Sequence, residues 1–191
     1  YGIIMYKNLL SETFLVTGTV SDKSLLKPKQ IENHCLSNFT LGNKIIDDQF
    51  WHLEDYISVP YHQHIQWFQD YVRDHYRLEY NATLVPTDGD QSLNVRSIVQ
   101  QSGESINYHN HVNPWNLKNS SEVSCLYCVS ETPEPVYVIF KYDDGRNKHR
   151  LWKQKIEYNQ FILFSSHLEH TITRNKNSGF IVNLSTHYQL L

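Results

Sequence analysis

Two hydrophobic periods divide this chain. Between Pro60 and Tyr80, the residues Ile65, Phe68, Val72 and Tyr76 recur at helical spacing, with Gln66, Gln69, Asp70, Arg73 and Asp74 between them. That stripe predicts an amphipathic helix over roughly 60–80, opened by Ser58-Val59-Pro60 and packed on a sheet face. From Leu93 onward the period becomes two. Strands are predicted at Leu93–Gln100, Ser105–Tyr108, Val123–Val129, Val136–Tyr142, Arg150–Ile156, Gln160–Phe164, Leu168–Thr173 and Phe180–Thr186. The turn residues fall between them: Asp88-Gly89 ahead of the first, then Gly103, Asp143-Asp144-Gly145-Arg146 and Asn177-Ser178-Gly179. Eight short strands with turn signals between them mean a sandwich or barrel. Upstream, Tyr1–Val20 predicts one or two strands, and Pro28–Asn38 a short helix with Ile31 and Cys35 on one face. Trp51–Ile57 is aromatic and acidic without a clear period.

At 191 residues the chain is expected to be one domain. Residues 1–90 are read as N-terminal strands and helices buttressing a β-core at 91–191. The fold class is mainly β (α+β). Net charge is −3 and no Lys/Arg cluster stands out, so no nucleic-acid partner is expected. No apolar run is long enough for a membrane span, and none has the shape of a signal peptide. Three cysteines, Cys35, Cys125 and Cys128, make no disulfide framework. A reducing, cytoplasmic setting fits that usage. Cys125 and Cys128 stand three apart on a predicted strand and so point to opposite faces. They read as packing thiols rather than a metal or redox pair.

The candidate chemistry lies in the histidines, of which there are 11. His109-Asn110-His111 follows one apolar run, and His170 lies in another about sixty residues later. Residues two apart on a strand share a face, so His109 and His111 reach one ion if the strand continues past His109. Three protein ligands with open positions define a catalytic rather than a structural metal. Two histidines and a carboxylate on one face mark non-haem Fe(II) oxygenases. A second pair, His62-Gln63-His64, lies at a helix start, where positions two apart do not share a face.

Order and spacing then carry a resemblance over Leu93–Ser185. The pattern runs His109-x-His111, Ser124-Cys125-Leu126-Tyr127-Cys128-Val129, Phe164-Ser165-Ser166-x-Leu168-x-His170-x-Ile172-x-x-Asn175 and Asn183-Leu184-Ser185. It resembles the Fe(II)/2-oxoglutarate oxygenases, in particular small members from marine bacteria and phages related to the prolyl hydroxylases. The resemblance implies a double-stranded β-helix (jelly-roll, cupin-like), with Fe(II), 2-oxoglutarate and O2 as reactants. It implies His109, His111 and His170 as metal ligands, and hydroxylation of an unactivated C–H.

Two departures stand out. His111 occupies the family's carboxylate position, and Glu104, Glu122 and Glu169 are the acids near enough in sequence to substitute. The family's arginine, expected about ten residues after the distal histidine to pair with the far carboxylate of 2-oxoglutarate, is Phe180 here. Arg96 is the first substitute, with Lys141, Arg150, Arg174 and Lys176 behind it. Tyr108, Tyr127 and Tyr137 are candidate pocket residues that bond a cosubstrate carboxylate, and Trp115 sits in a loop bordering the metal face. A three-histidine cupin-type dioxygenase without 2-oxoglutarate is the alternative, and a metal-free binding module on the same barrel is the third. The substrate is not legible, whether small molecule or protein side chain.

Overall fold

The computed structural model describes residues 13–20, 27–41, 57–58, 63–87, 95–112, 114–115, 118, 120–144 and 148–191. The strand expected before Thr13, most of the Trp51–Ile57 stretch, His62 and the turns Asp88-Gly89 and Gly145-Arg146 lie outside them.

Eleven strands and two helices are described. They are β1 (Leu15–Thr19), α1 (Pro28–Leu41), β2 (Ile57–Ser58), α2 (Gln63–Tyr80), β3 (Leu84–Pro86), β4 (Val95–Gln100), β5 (Ile106–His109), β6 (Val123–Cys128), β7 (Val136–Asp143), β8 (His149–Ile156), β9 (Gln160–Ser165), β10 (Glu169–Ile172) and β11 (Ile181–Leu190). The larger sheet runs β1-β9-β6-β11-β4-β2, with β3 also on β11; the smaller runs β5-β10-β7-β8. Strands β4 to β11 are the eight expected from the period-two pattern. Split between two facing antiparallel sheets, they form a double-stranded β-helix.

The larger sheet is buried on both faces, which explains its long apolar runs. Its outer face meets the helices: Ile31 and Cys35 of α1 and Phe68, Val72 and Tyr76 of α2 pack on Val99, Val123, Cys125, Tyr127, Leu163, Val182 and Leu184. Its inner face meets the smaller sheet, where Ile98, Leu126, Cys128, Ile162, Phe164 and Ile181 oppose Val138, Phe140 and Ile172. Strand β6 therefore feeds two cores alternately, and all six of its residues are buried. Cys125 belongs to the helix side and Cys128 to the inter-sheet side. Both thiols are free, and burial pushes each up to about 12. They take no part in a shared site.

Polar contacts fix the layers. Buried Glu32 on α1 accepts from Ser130 Oγ at 2.7 Å and pairs with Lys29, and Ser130 Oγ in turn accepts from Val182 N at 2.8 Å. Gly103, at φ 86°, turns β4 toward β5 in a backbone region that favours glycine. Buried Asn175 holds that turn to the β10–β11 connection: its N–H donates to Glu104 O and its Nδ2 to Gln100 O and Gly179 O. Among the described residues, no helix is long and apolar enough to cross a membrane.

Candidate metal centre

His109 ends β5 and His170 lies near the start of β10, directly opposite it in the ladder. Strand β5 stops at His109, so His111 does not share its face by strand alternation as the spacing suggested. The chain instead leaves the strand, and His111 N is caught by Ser166 O at 3.0 Å. That bend turns the His111 ring at 89° to His109, with centroids 5.0 Å apart. One ligand atom from each of His109, His111 and His170 lies within 4.8 Å of the others.

The trio fits an ion. His109 Nδ1 hydrogen-bonds Asn107 O at 2.9 Å and His170 Nδ1 hydrogen-bonds Leu168 O at 3.0 Å. A backbone carbonyl only accepts, so each Nδ1 carries the proton and each Nε2 keeps its lone pair, the arrangement metal-binding histidines use. His111 Nε2 and His170 Nε2 are 3.2 Å apart. Two nitrogens about 2.1 Å from one ion and at right angles stand roughly 3 Å apart, so this pair suits neighbouring coordination positions. Behind them, Phe164 meets the His170 ring edge-on at 4.8 Å and Phe140 lies at 5.7 Å, which walls one side of the centre with carbon.

The larger sheet contributes a histidine that spacing did not reveal. His187 on β11 lies with its ring 4.3 Å from that of His111. Its Nδ1 meets Ser124 Oγ at 3.2 Å and its Nε2 meets Ser185 Oγ at 3.3 Å. Ser124 Oγ continues to Ser166 Oγ at 2.8 Å, and that to Ser121 Oγ at 2.6 Å. The expected final strand, Phe180–Thr186, stopped one residue short of His187; β11 continues to Leu190. The available signal was alternation, since Asn183, Ser185 and His187 are polar at every second position and Val182, Leu184 and Tyr188 lie on the other face.

The other candidates are dispersed. Arg96 is partly buried on β4, opposite Ser185. Tyr127 faces the helices, stacked on Phe68 at 4.3 Å and donating to Asn159 Oδ1 at 2.8 Å, because odd-numbered residues of β6 point outward. Lys141 pairs with Glu169 at 2.9 Å and lies 3.7 Å over the ring of exposed Tyr108. Arg150 is exposed and donates to Asp144, and Lys153 lies over Tyr137. Arg174 and Lys176 are exposed.

None of the three acids considered joins the trio. Glu104 accepts from Gln101 N, Glu122 from Leu190 N, and Glu169 is taken by Lys141. Phe180 does not fill a pocket position: it is 46% exposed, precedes β11 and meets Phe39 edge-on at 5.7 Å. Trp115 is 94% exposed rather than folded over the histidines. The side chain of His64 lies outside the described residues.

His111 is held well below the ordinary histidine value, first by burial and then by His187, His170, His109 and the Arg96 charge. An imidazole must be neutral to offer a lone pair to a metal, and this environment favours the neutral form. The sign for stability follows. Between about pH 6.5 and the lowered folded value, the unfolded chain binds a proton that the folded chain refuses. The metal-free protein is therefore expected to lose stability as pH falls below about 6.5, by at most about 1.4 kcal/mol per pH unit from this group. Thermal melts from pH 7.5 to 5 check it: His111→Asn should flatten the profile, and an unchanged slope would refute the assignment.

No family model matches the sequence, and no curated protein matches it. Solved structures do share its fold. A Pseudomonas putida prolyl-4-hydroxylase aligns with TM-score 0.61 at 11% identity, over 92% of this chain and 92% of that one. A Trichoplax adhaerens prolyl hydroxylase, solved with a hypoxia-inducible-factor peptide, aligns with TM-score 0.56 at 13% identity, over 92% and 82%. The non-haem α-ketoglutarate-dependent carbocyclase SnoK of nogalamycin biosynthesis aligns with TM-score 0.58 at 11% identity, over 93% and 79%. With two facing sheets in this order and neighbours of this kind, the chain has the double-stranded β-helix fold of the Fe(II)/2-oxoglutarate oxygenases.

Proposed function

We propose that this protein is a non-haem Fe(II)/2-oxoglutarate-dependent oxygenase that hydroxylates an unactivated C–H bond. The observation that carries the reading is the convergence of His109, His111 and His170 on one point, with two of the rings held by backbone carbonyls. When bound there, iron would supply the oxidising chemistry with O2, while 2-oxoglutarate is converted to succinate and carbon dioxide. The chain's own residues do the rest. His109 and His170 present fixed Nε2 lone pairs, His111 offers a third neutral donor, and Phe140 and Phe164 keep water from one side of the centre. Since some neighbours in fold are prolyl hydroxylases, a protein prolyl side chain is a natural first substrate to try.

The full chain, reconstituted with Fe(II) without oxygen and then given 2-oxoglutarate and air, is expected to release succinate, read by mass spectrometry. Iron bound in stoichiometric amount with no succinate would sink the reading. Metal alone should also raise the melting temperature, because an ion at a hundredfold excess over its Kd stabilises the folded state by about 2.7 kcal/mol.

One observation favours a second reading, a three-histidine dioxygenase of thiols or small acids without 2-oxoglutarate. Among the described residues the ligand group is all nitrogen, with no carboxylate. Such an enzyme would consume O2 and release no succinate.

A further inference from the structure

The three histidines of the centre are not held alike. His109 and His170 each commit Nδ1 to a backbone carbonyl two residues away. Among the described residues, no carbonyl or carboxylate takes His111 Nδ1. The backbone of His111 is fixed by Ser166 O, which leaves its ring to turn about the side-chain bonds. A metal-binding histidine almost always has an outer partner that sets its ring, so the orientation of His111 needs a reason. Outside the trio, the rings beside it are Phe164 at 6.1 Å and His187 at 4.3 Å.

His187 is the nearer, and it is itself tied down. On β11, Val182, Leu184 and Tyr188 pack toward the helices, so alternation turns Ser185 and His187 to the inter-sheet side. A line of buried hydroxyls leads from His187 to the backbone. Nδ1 meets Ser124 Oγ at 3.2 Å, which meets Ser166 Oγ at 2.8 Å, then Ser121 Oγ at 2.6 Å, then Val123 O at 3.1 Å. On the other side of the ring, Nε2 meets Ser185 Oγ at 3.3 Å.

The end of the line sets its direction. A carbonyl only accepts, and a serine has one O–H to give. With Ser121 donating to Val123 O, Ser166 donates to Ser121, Ser124 to Ser166, and His187 Nδ1–H to Ser124, while Ser185 donates to Nε2. Every contact is then a hydrogen bond. The reverse direction loses the last one and sets the oxygens of Ser121 and Val123 lone pair against lone pair. That loss is costly because Ser121, Ser124, Ser166 and Ser185 are all buried. Ser166 serves both histidines: its carbonyl holds the His111 backbone, and its hydroxyl is the middle link to His187.

We infer that His187 is the positioning residue of His111, held by the serine line as the Nδ1–H tautomer so that its ring keeps the His111 ring turned to the ion. This deepens the proposed metal centre and rests on it. His187 does not join the ligand group itself, so it acts through His111.

The test uses the full chain. In nitrogen-15 NMR of the metal-free protein in mildly alkaline buffer, His187 is identified by the signals that His187→Ala loses. It should carry its proton on Nδ1; an Nε2–H tautomer overturns the serine line. Titration with Co(II), followed by visible absorption, then reads the ligands, because the band shape reports coordination geometry. His187→Ala should weaken Co(II) binding at least tenfold and change the band shape. Ser124→Ala keeps the His187 ring and removes its partner, and should change the band shape in the same way with a smaller loss of affinity. If His187→Ala does not fold, Ser124→Ala and Ser166→Ala carry the test. Parent-like affinity and spectrum in the folded variants overturn the positioning role. Weaker binding with the parent band shape overturns it too, since that is what mere support of the fold produces. A parent that binds no Co(II) sinks the metal centre itself, which is a separate result.

Discussion

His170→Ala is expected to weaken metal binding by at least a hundredfold, about 2.7 kcal/mol, and to reduce succinate formation to background. His170 sits at the middle of the trio, 3.2 Å from His111 Nε2 and directly across the ladder from His109. It is 4% exposed, its ring is packed against Phe164 and Phe140, and its Nδ1 is committed to Leu168 O. The neighbouring carboxylate of Glu169 does not stand in for it, since that group is taken by Lys141. His109→Ala should have the same effect on metal with less cost to the fold, because His109 is only partly buried. Equilibrium dialysis against Fe(II) or Mn(II), with circular dichroism as a control on folding, reads both. If either variant keeps a full equivalent of metal at parent affinity, the trio is not the site. His111→Asp separates the remaining question: it should still bind metal if His111 takes the carboxylate's place, and change nothing if His111 is not a ligand.

Phe68→Ala should destabilise the protein by about 3–5 kcal/mol, the range for removing a large buried aromatic. Phe68 is fully buried on α2 and stacks on Tyr127 of β6 at 4.3 Å. With Val72 and Tyr76 it packs the best-patterned helix against the larger sheet. The cavity would open beneath α2 and Tyr127, on the opposite face of β6 from the histidines. Urea unfolding measures the loss. A change below about 1.5 kcal/mol would mean that α2 is not fixed to the sheet as described. The metal-induced rise in melting temperature should survive, because the inner face is untouched.

Much of this architecture was legible before any coordinates. The helical stripe at Ile65, Phe68, Val72 and Tyr76 gave α2, and the period of two gave all eight barrel strands, because helices and strands expose their apolar faces at different intervals. The three histidines were legible as types in a suitable order. Their convergence rested on the wrong local reason: the strand ends at His109, and a hydrogen bond from His111 to Ser166, 55 residues away, makes the turn.

Face assignment is where sequence reasoning stopped. Strand β6 is buried on both sides, so its composition does not say that Tyr127 looks to the helices and Ser124 to the histidines. A shift of one residue exchanges the faces, and only pairing with β9 and β11 sets it. Counting ten residues from His170 put Phe180 in a ligand position, whereas β11 begins only after it and turns Asn183, Ser185 and His187 inward. The sequence by itself determined the two helices, the eight barrel strands, their order and the supply of nitrogen ligands, since these depend on local periodicity and residue type; the short strands β2 and β3 carried no such period. The tertiary structure alone decided which residues meet at the centre, because that depends on register between strands that are far apart in the chain.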